Sequence, residues 1–196
     1  VLADEQVDLH LLLLMCLASS ASAELPKIKL EPFLRGLERP TFLTSDGTDR
    51  LFITEQPGRI RLFANGKLQR TPFLDIEDQV QDGGECGLLS MAFHPKFTEN
   101  RYVYIGCNGP VSAKVKKSRV LRYTFDPVAK KLDPKSQTVI IDWDSDGHNG
   151  AALAFGPDGY LYVTAGDGTS DSDGLMTGQT LDDLPSACLR IDVDHP

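Results

Sequence analysis

The chain has 196 residues, 41% of them hydrophobic, with a formal net charge of −8 and a pI near 4.9. That length and apolar content suffice to bury a substantial core, and the composition carries no mark of disorder or of a collagen-like repeat. The acidic balance argues against a nucleic-acid partner, which needs a clustered positive surface; the one basic run, Lys114-Val115-Lys116-Lys117, reads as a solvated loop.

At the N-terminus, Leu9 to Ala18 is almost continuously apolar and is followed by Ala21-Ser22-Ala23, the small-x-small form of a signal-peptidase site. Residues 1–23 therefore read as a signal peptide, with a mature start near Glu24 and an exported, periplasmic or secreted product. The apolar run is shorter than the roughly 20 residues a membrane span requires, so no membrane span is expected. The flank carries Asp4, Glu5 and Asp8 and no base, whereas a signal peptide ordinarily begins positively charged.

Residues 24–196 read as β structure. Three segments echo one another: Phe42–Thr54, Met91–Ile105 and Leu153–Val163, each a short strand, a polar turn and an aromatic-aliphatic strand. Phe42, Phe93 and Phe155 fall 51 and 62 residues apart, close to the ~40–50 residue periods of propeller blades once loop insertions are allowed. Further strands fit the scheme: Arg59–Phe63 before the turn Ala64–Lys67, and Arg119–Phe125 before Asp126-Pro127. Val139–Trp143 is expected to begin the next blade. About three four-stranded blades result, roughly half a ring, since a closed propeller has at least about four blades. An immunoglobulin-like sandwich is the rival, but it lacks this longer self-similarity.

Beyond the leader stand Cys86, Cys107 and Cys188, an odd number for an exported chain. Antiparallel pairing of Gly87–Phe93 with Arg101–Gly106 would bring Cys86 and Cys107 within a residue or two of register, so a disulfide between them is one expectation. No CxxC spacing occurs, and no metal site is expected of these cysteines.

His148 lies between Gly147 and Asn149-Gly150, just ahead of the hairpin formed by Leu153–Phe155, the turn Gly156-Pro157-Asp158-Gly159 and Tyr160–Ala165. Such a hairpin returns Gly166-Asp167-Gly168 to the rim that holds His148, and rim loops carry function more often than strands. Imidazole titrates near neutral pH, which makes His148 a candidate base. A purely structural role, His148 bonding a neighbouring carbonyl and Asp167 capping a turn, stays open at this level. His94, before Pro95, reads as a turn residue, and Trp143 as a core aromatic.

The segment Gly83-Gly84-Glu85-Cys86-Gly87-Leu88-Leu89-Ser90-Met91-Ala92-Phe93-His94-Pro95 resembles the GGERGLLGLAFHP segment of the glucose/sorbosone dehydrogenase family, the soluble aldose sugar dehydrogenases. His148-Asn149-Gly150, Leu153–Gly159 and Gly166-Asp167-Gly168 resemble the family's HNGGxLAFGPDGxLYVxxGDG, and Leu189–Asp194 its LRIDVD. With Glu55–Ile60 the likeness covers about residues 30–196. It implies a six-bladed propeller that binds pyrroloquinoline quinone (PQQ) at its channel mouth, with calcium nearby. It further implies oxidation of the anomeric hydroxyl of an aldose to the lactone and an external electron acceptor. By the same resemblance His148 is the catalytic base, Glu85 helps position the sugar, and Asn149, Gly166, Asp167 and Gly168 line the rim beside the cofactor. The main PQQ and calcium ligands are expected in later blades, so no metal ligand is assigned here. Two departures stand out: Pro185-Ser186-Ala187-Cys188 replaces a Leu-Gly-Lys pattern, and Ala151 replaces a glycine. An extracellular propeller that binds partners without redox chemistry, or an inactive fragment, is the alternative.

Overall fold

The computed structural model describes residues 27–169 and 171–195. The expected signal peptide lies outside the described residues. The chain divides into Val1–Phe33 and Leu34–Pro196, and the fold below belongs to the second unit.

Its strands form three antiparallel sheets. The first contains β1 (Pro40–Ser45), β2 (Leu51–Glu55), β3 (Arg59–Ala64), β4 (Lys67–Leu68) and β5 (Leu74–Asp75), the last pairing with β3. The second has the order β6 (Leu88–Phe93), β7 (Tyr102–Asn108), β8 (Lys117–Asp126) and β9 (Lys131–Asp144), with a single-turn helix α1 (Phe97–Asn100) between its first two strands. The third is β10 (Gly150–Phe155), β11 (Leu161–Ala165) and β12 (Cys188–Ile191). The three echoing segments are the hairpins β1–β2, β6–β7 and β10–β11, one opening each sheet.

Val139–Trp143 does not begin a new sheet. It is the second half of β9, which pairs with β8 from Lys131 onward and completes the second sheet. The reversal before it is local chemistry: Asp126 Oδ1 accepts the N–H groups of Val128 and Ala129, a side-chain turn that sends the chain straight back.

The second sheet is the middle layer, and strand alternation explains how it serves two cores. Val103, Ile105 and Cys107 of β7 point with Leu121 and Tyr123 of β8 toward Phe52 and Ile60 of the first sheet. Tyr104 and Val120, on the opposite face, meet Trp143, Leu153, Leu161 and Val163. Fully burying each such aliphatic side chain contributes on the order of 2 kcal/mol. Leu88 and Met91 share one face although three residues apart, because β6 carries a bulge between Leu88 and Ser90. Ser90 Oγ donates to the Ala151 carbonyl. That carbonyl comes so close to β7 that a Cβ on Gly106 would stand 2.3 Å from it.

Cys86 and Cys107 form no disulfide; both are free and buried. Cys107 lies opposite Leu88 in the ladder and faces the first core, whereas Cys86 precedes the strand and its Sγ meets the Asn149 amide at 3.6 Å. The two-residue offset places the thiols in different surroundings.

Candidate active site

Two loops at the open end of the β10–β11 hairpin build the site. Gly150 pairs with Ala165, so His148 and Asp167, each two residues further out, arrive at one rim. The loops are stitched by Asp146 N–H donating to the Gly168 carbonyl at 2.8 Å. Gly166 permits the approach: a Cβ there would stand 1.6 Å from the His148 carbonyl oxygen.

His148 Nδ1 lies 3.0 and 3.1 Å from the two Asp167 carboxylate oxygens. Asp167 also accepts the Thr169 N–H (2.8 Å), the Thr169 hydroxyl (2.9 Å) and the Asp173 N–H (3.1 Å). Donors led by the Thr169 N–H hold its carboxyl down at about 2. The hydrogen bond that His148 donates to Asp167, aided by the charges of Asp167, Glu85 and Asp171, pushes the imidazole above its ordinary value. An ionised carboxylate at Nδ1 requires a proton there, which leaves Nε2 of the neutral ring with its lone pair, on a side chain 40% exposed.

Glu85 reaches the same residue from the second sheet. Its Oε2 accepts the His148 N–H at 2.7 Å. His148 has φ 42°, the left-handed region that non-glycine residues enter only when their surroundings hold them there. Glu85 also lines an open cavity of about 470 Å³ with Asp82, Lys116, Asp146 and Gly147. Lys116 Nζ pairs with Asp146 at 2.6 Å across it.

The rim residues picked out in the sequence have distinct places. Gly166 and Gly168 shape the loop, while Asp167 is spent on His148 and its own loop. Asn149 is 2% exposed, and its Oδ1 accepts from Ser145 Oγ (2.6 Å) and Asn108 Nδ2 (2.9 Å); its side chain belongs to the interior. Thr169 and Asp173, which fix Asp167, were not singled out; the run Asp167-Gly168-Thr169 is their only signal, an acid with a hydroxyl two residues on. At the two departures the backbone keeps a glycine-like shape. Ser186 has φ 55° and donates its N–H to the Gly166 carbonyl at 2.8 Å. Ala151, at a bulge in β10, has φ 58°.

PQQ carries three carboxylates and needs cations. In the cavity beside His148 the charged lining is Asp82, Glu85, Asp146 and Lys116, the last already paired with Asp146. The residues present thus fit the proton-accepting edge of a quinone site and do not supply its anion-holding groups. Among the described residues no group of three or more His, Cys, Asp or Glu side chains is arranged to hold a metal.

Residues 37–195 match the family model described as Glucose / Sorbosone dehydrogenase, and the chain belongs to that family. It is 33% identical over 180 residues to the Hedgehog-interacting protein of Mus musculus, an alignment covering 84% of this chain and 26% of that protein. It is 30% identical over 168 residues to quinoprotein glucose dehydrogenase B of Acinetobacter calcoaceticus, covering 76% of this chain and 35% of the relative. Among solved structures, an oxidoreductase of Thermus thermophilus described as a glucose dehydrogenase superposes with a TM-score of 0.68 at 33% identity, over 82% of this chain and 46% of that one. The chain thus spans less than half the length of each. Among the described residues no helix is long and apolar enough to cross a membrane.

Proposed function

We propose that this chain carries the proton-accepting part of an exported quinoprotein sugar dehydrogenase, its three sheets being blades of a six-bladed propeller. The reaction is oxidation of the anomeric hydroxyl of an aldose to the lactone, with electrons passing on to an external acceptor. The observation that carries this reading is the His148–Asp167 pair: an exposed imidazole whose Nδ1 is held by an ionised carboxylate at 3.0 Å. Nε2 takes the hydroxyl proton as hydride leaves the same carbon, and Asp167 stabilises the imidazolium that forms. Glu85 fixes the backbone of His148 and presents a carboxylate to the sugar beside it. When bound, PQQ supplies the hydride acceptor, and calcium accompanies it.

The test uses the full-length protein supplied with PQQ, calcium and an aldose, with reduction of an artificial acceptor as readout. His148→Gln should lower turnover by at least about 100-fold, the usual worth of a positioned base. Undiminished turnover in that variant would remove His148 from the mechanism.

A second reading is a propeller that binds an extracellular partner without redox chemistry; the 33% identity to Hedgehog-interacting protein supports it. Sugar added to the PQQ-loaded protein separates the two: a change in quinone absorbance belongs to the dehydrogenase, and its absence to the binding module.

A further inference from the structure

We propose that Gln56 is a positioning residue for the site, bracing from the first sheet the turn that presents Glu85 to the His148 backbone. The proposal rests on the dehydrogenase reading only for what the Glu85–His148 contact is used for.

Gln56 follows β2 directly and is pinned at both backbone groups. Its N–H donates to the Arg39 carbonyl at 3.0 Å, and its carbonyl accepts the Leu88 N–H at 2.9 Å. Arg39 Nη1 donates to Gln56 Oε1 at 3.2 Å while Arg39 Nη2 pairs with Asp82 at 2.5 Å. A guanidinium at the amide oxygen settles which way the amide points, so both Nε2 hydrogens face the turn. There they meet the carbonyls of Gly84 and Cys86, each at 2.8 Å, the residues on either side of Glu85.

The turn itself has only two reciprocal backbone bonds, Gly83 N–H to Cys86 O at 3.2 Å and Cys86 N–H to Gly83 O at 3.0 Å. It is seated on Gln56 closely enough that a Cβ at Gly87 would stand 2.4 Å from Gln56 Cγ. From the tip, Glu85 accepts the N–H of His148 in the third sheet. One glutamine amide therefore links the first sheet, through a turn of the second, to the backbone of the base. No other side chain of that length offers two donors from one nitrogen without a charge. Glutamate would set oxygen against two carbonyls, and methionine would fill the space with no donor.

The test follows the backbone N–H of His148 and its imidazole in Gln56→Met, which keeps the side-chain length but loses both donors. Amide hydrogen exchange at His148 should speed up about tenfold or more, as expected for two lost hydrogen bonds. The imidazole titration, measured by NMR, should move to lower pH as the Glu85 charge is released from it. Adding Glu85→Ala to Gln56→Met should produce no change beyond Glu85→Ala alone. Exchange and titration at wild-type values in Gln56→Met overturn the proposal. Should that variant fail to fold, Arg39→Gln, which frees the Gln56 amide to turn, should raise the same exchange rate, and an unchanged rate there overturns it equally. These readouts need no turnover. Absence of sugar oxidation by the wild-type protein, together with faster exchange at His148 in Gln56→Met, defeats the dehydrogenase reading and supports the brace.

Discussion

Asp167 Oδ1 and His148 Nδ1 meet at 3.0 Å across two loops although the residues are 19 apart in the chain. The contact sets the tautomer of the ring, and Asp167→Asn should disturb it without emptying the loop, since an amide oxygen still accepts the Thr169 N–H. The His148 titration should then fall toward the ordinary imidazole value, and the acid limb of kcat/KM should follow it to lower pH. Turnover at the optimum should drop by about 100-fold or more, and up to about 10⁴-fold, as when a carboxylate that sets the tautomer of a basic imidazole becomes an amide. NMR titration of the ring in both proteins checks the pairing independently of activity.

The same pair makes stability depend on pH with a definite sign. Asp167 is depressed from 3.8 to about 2, so its contribution is present above 3.8 and lost as pH falls through about 2. His148 is raised above 6.5; its contribution is complete below 6.5 and lost as pH rises through the raised folded value. The window between 3.8 and 6.5 is where both act. The urea midpoint of wild type minus that of His148→Gln should be largest inside this window and shrink on either side. A difference independent of pH would mean that the ring contributes packing alone.

Gly166 and Gly159 separate steric need from backbone freedom. A methyl at Gly166 would lie 1.6 Å from the His148 carbonyl oxygen, and Gly166→Ala should cost about 3 kcal/mol as the rim loops are forced apart. Gly159 has φ 82° with nothing within 4 Å of an added Cβ, so Gly159→Ala carries only the left-handed backbone penalty, about 1 kcal/mol. Chemical denaturation of both variants tests the ranking. Equal losses would show that the loops spread easily at Gly166.

Much of this was readable from the chain because it is local. The hairpins β1–β2, β6–β7 and β10–β11 follow from alternation around polar turns, and the returning hairpin put His148 and Asp167 on one rim. What escaped depends on a shift of register or on neighbours far along the chain. Asp133-Pro134 looks like a break before a fresh strand at Val139; β9 carries it because Pro134 falls at a register shift, between the pairs Thr124↔Asp133 and Arg122↔Thr138, where the ladder asks no hydrogen bond of it. Nothing in the sequence ties Gln56 to Gly84 and Cys86, 28 and 30 residues away. Nor does spacing alone make Asp173, six residues on, a partner of Asp167.

The cysteines give a last test of where sheet register overrides sequence proximity. Cys107 is 1% exposed, and burial pushes its thiol up to about 12, which leaves a thiolate fraction of about 10⁻⁴ at pH 8. Cys86 is 4% exposed, whereas Cys188 stands exposed on β12. Iodoacetamide at pH 8 should therefore label Cys188 in the folded protein and reach Cys86 and Cys107 only after denaturation, as read by peptide mass spectrometry. Rapid labelling of Cys107, or a Cys86–Cys107 linked peptide in a non-reducing digest, would contradict the register that sets Cys107 opposite Leu88. Because Cys86 ends the turn that Gln56 braces, a link drawn to Cys107 would also pull that turn, and Glu85 with it, away from His148.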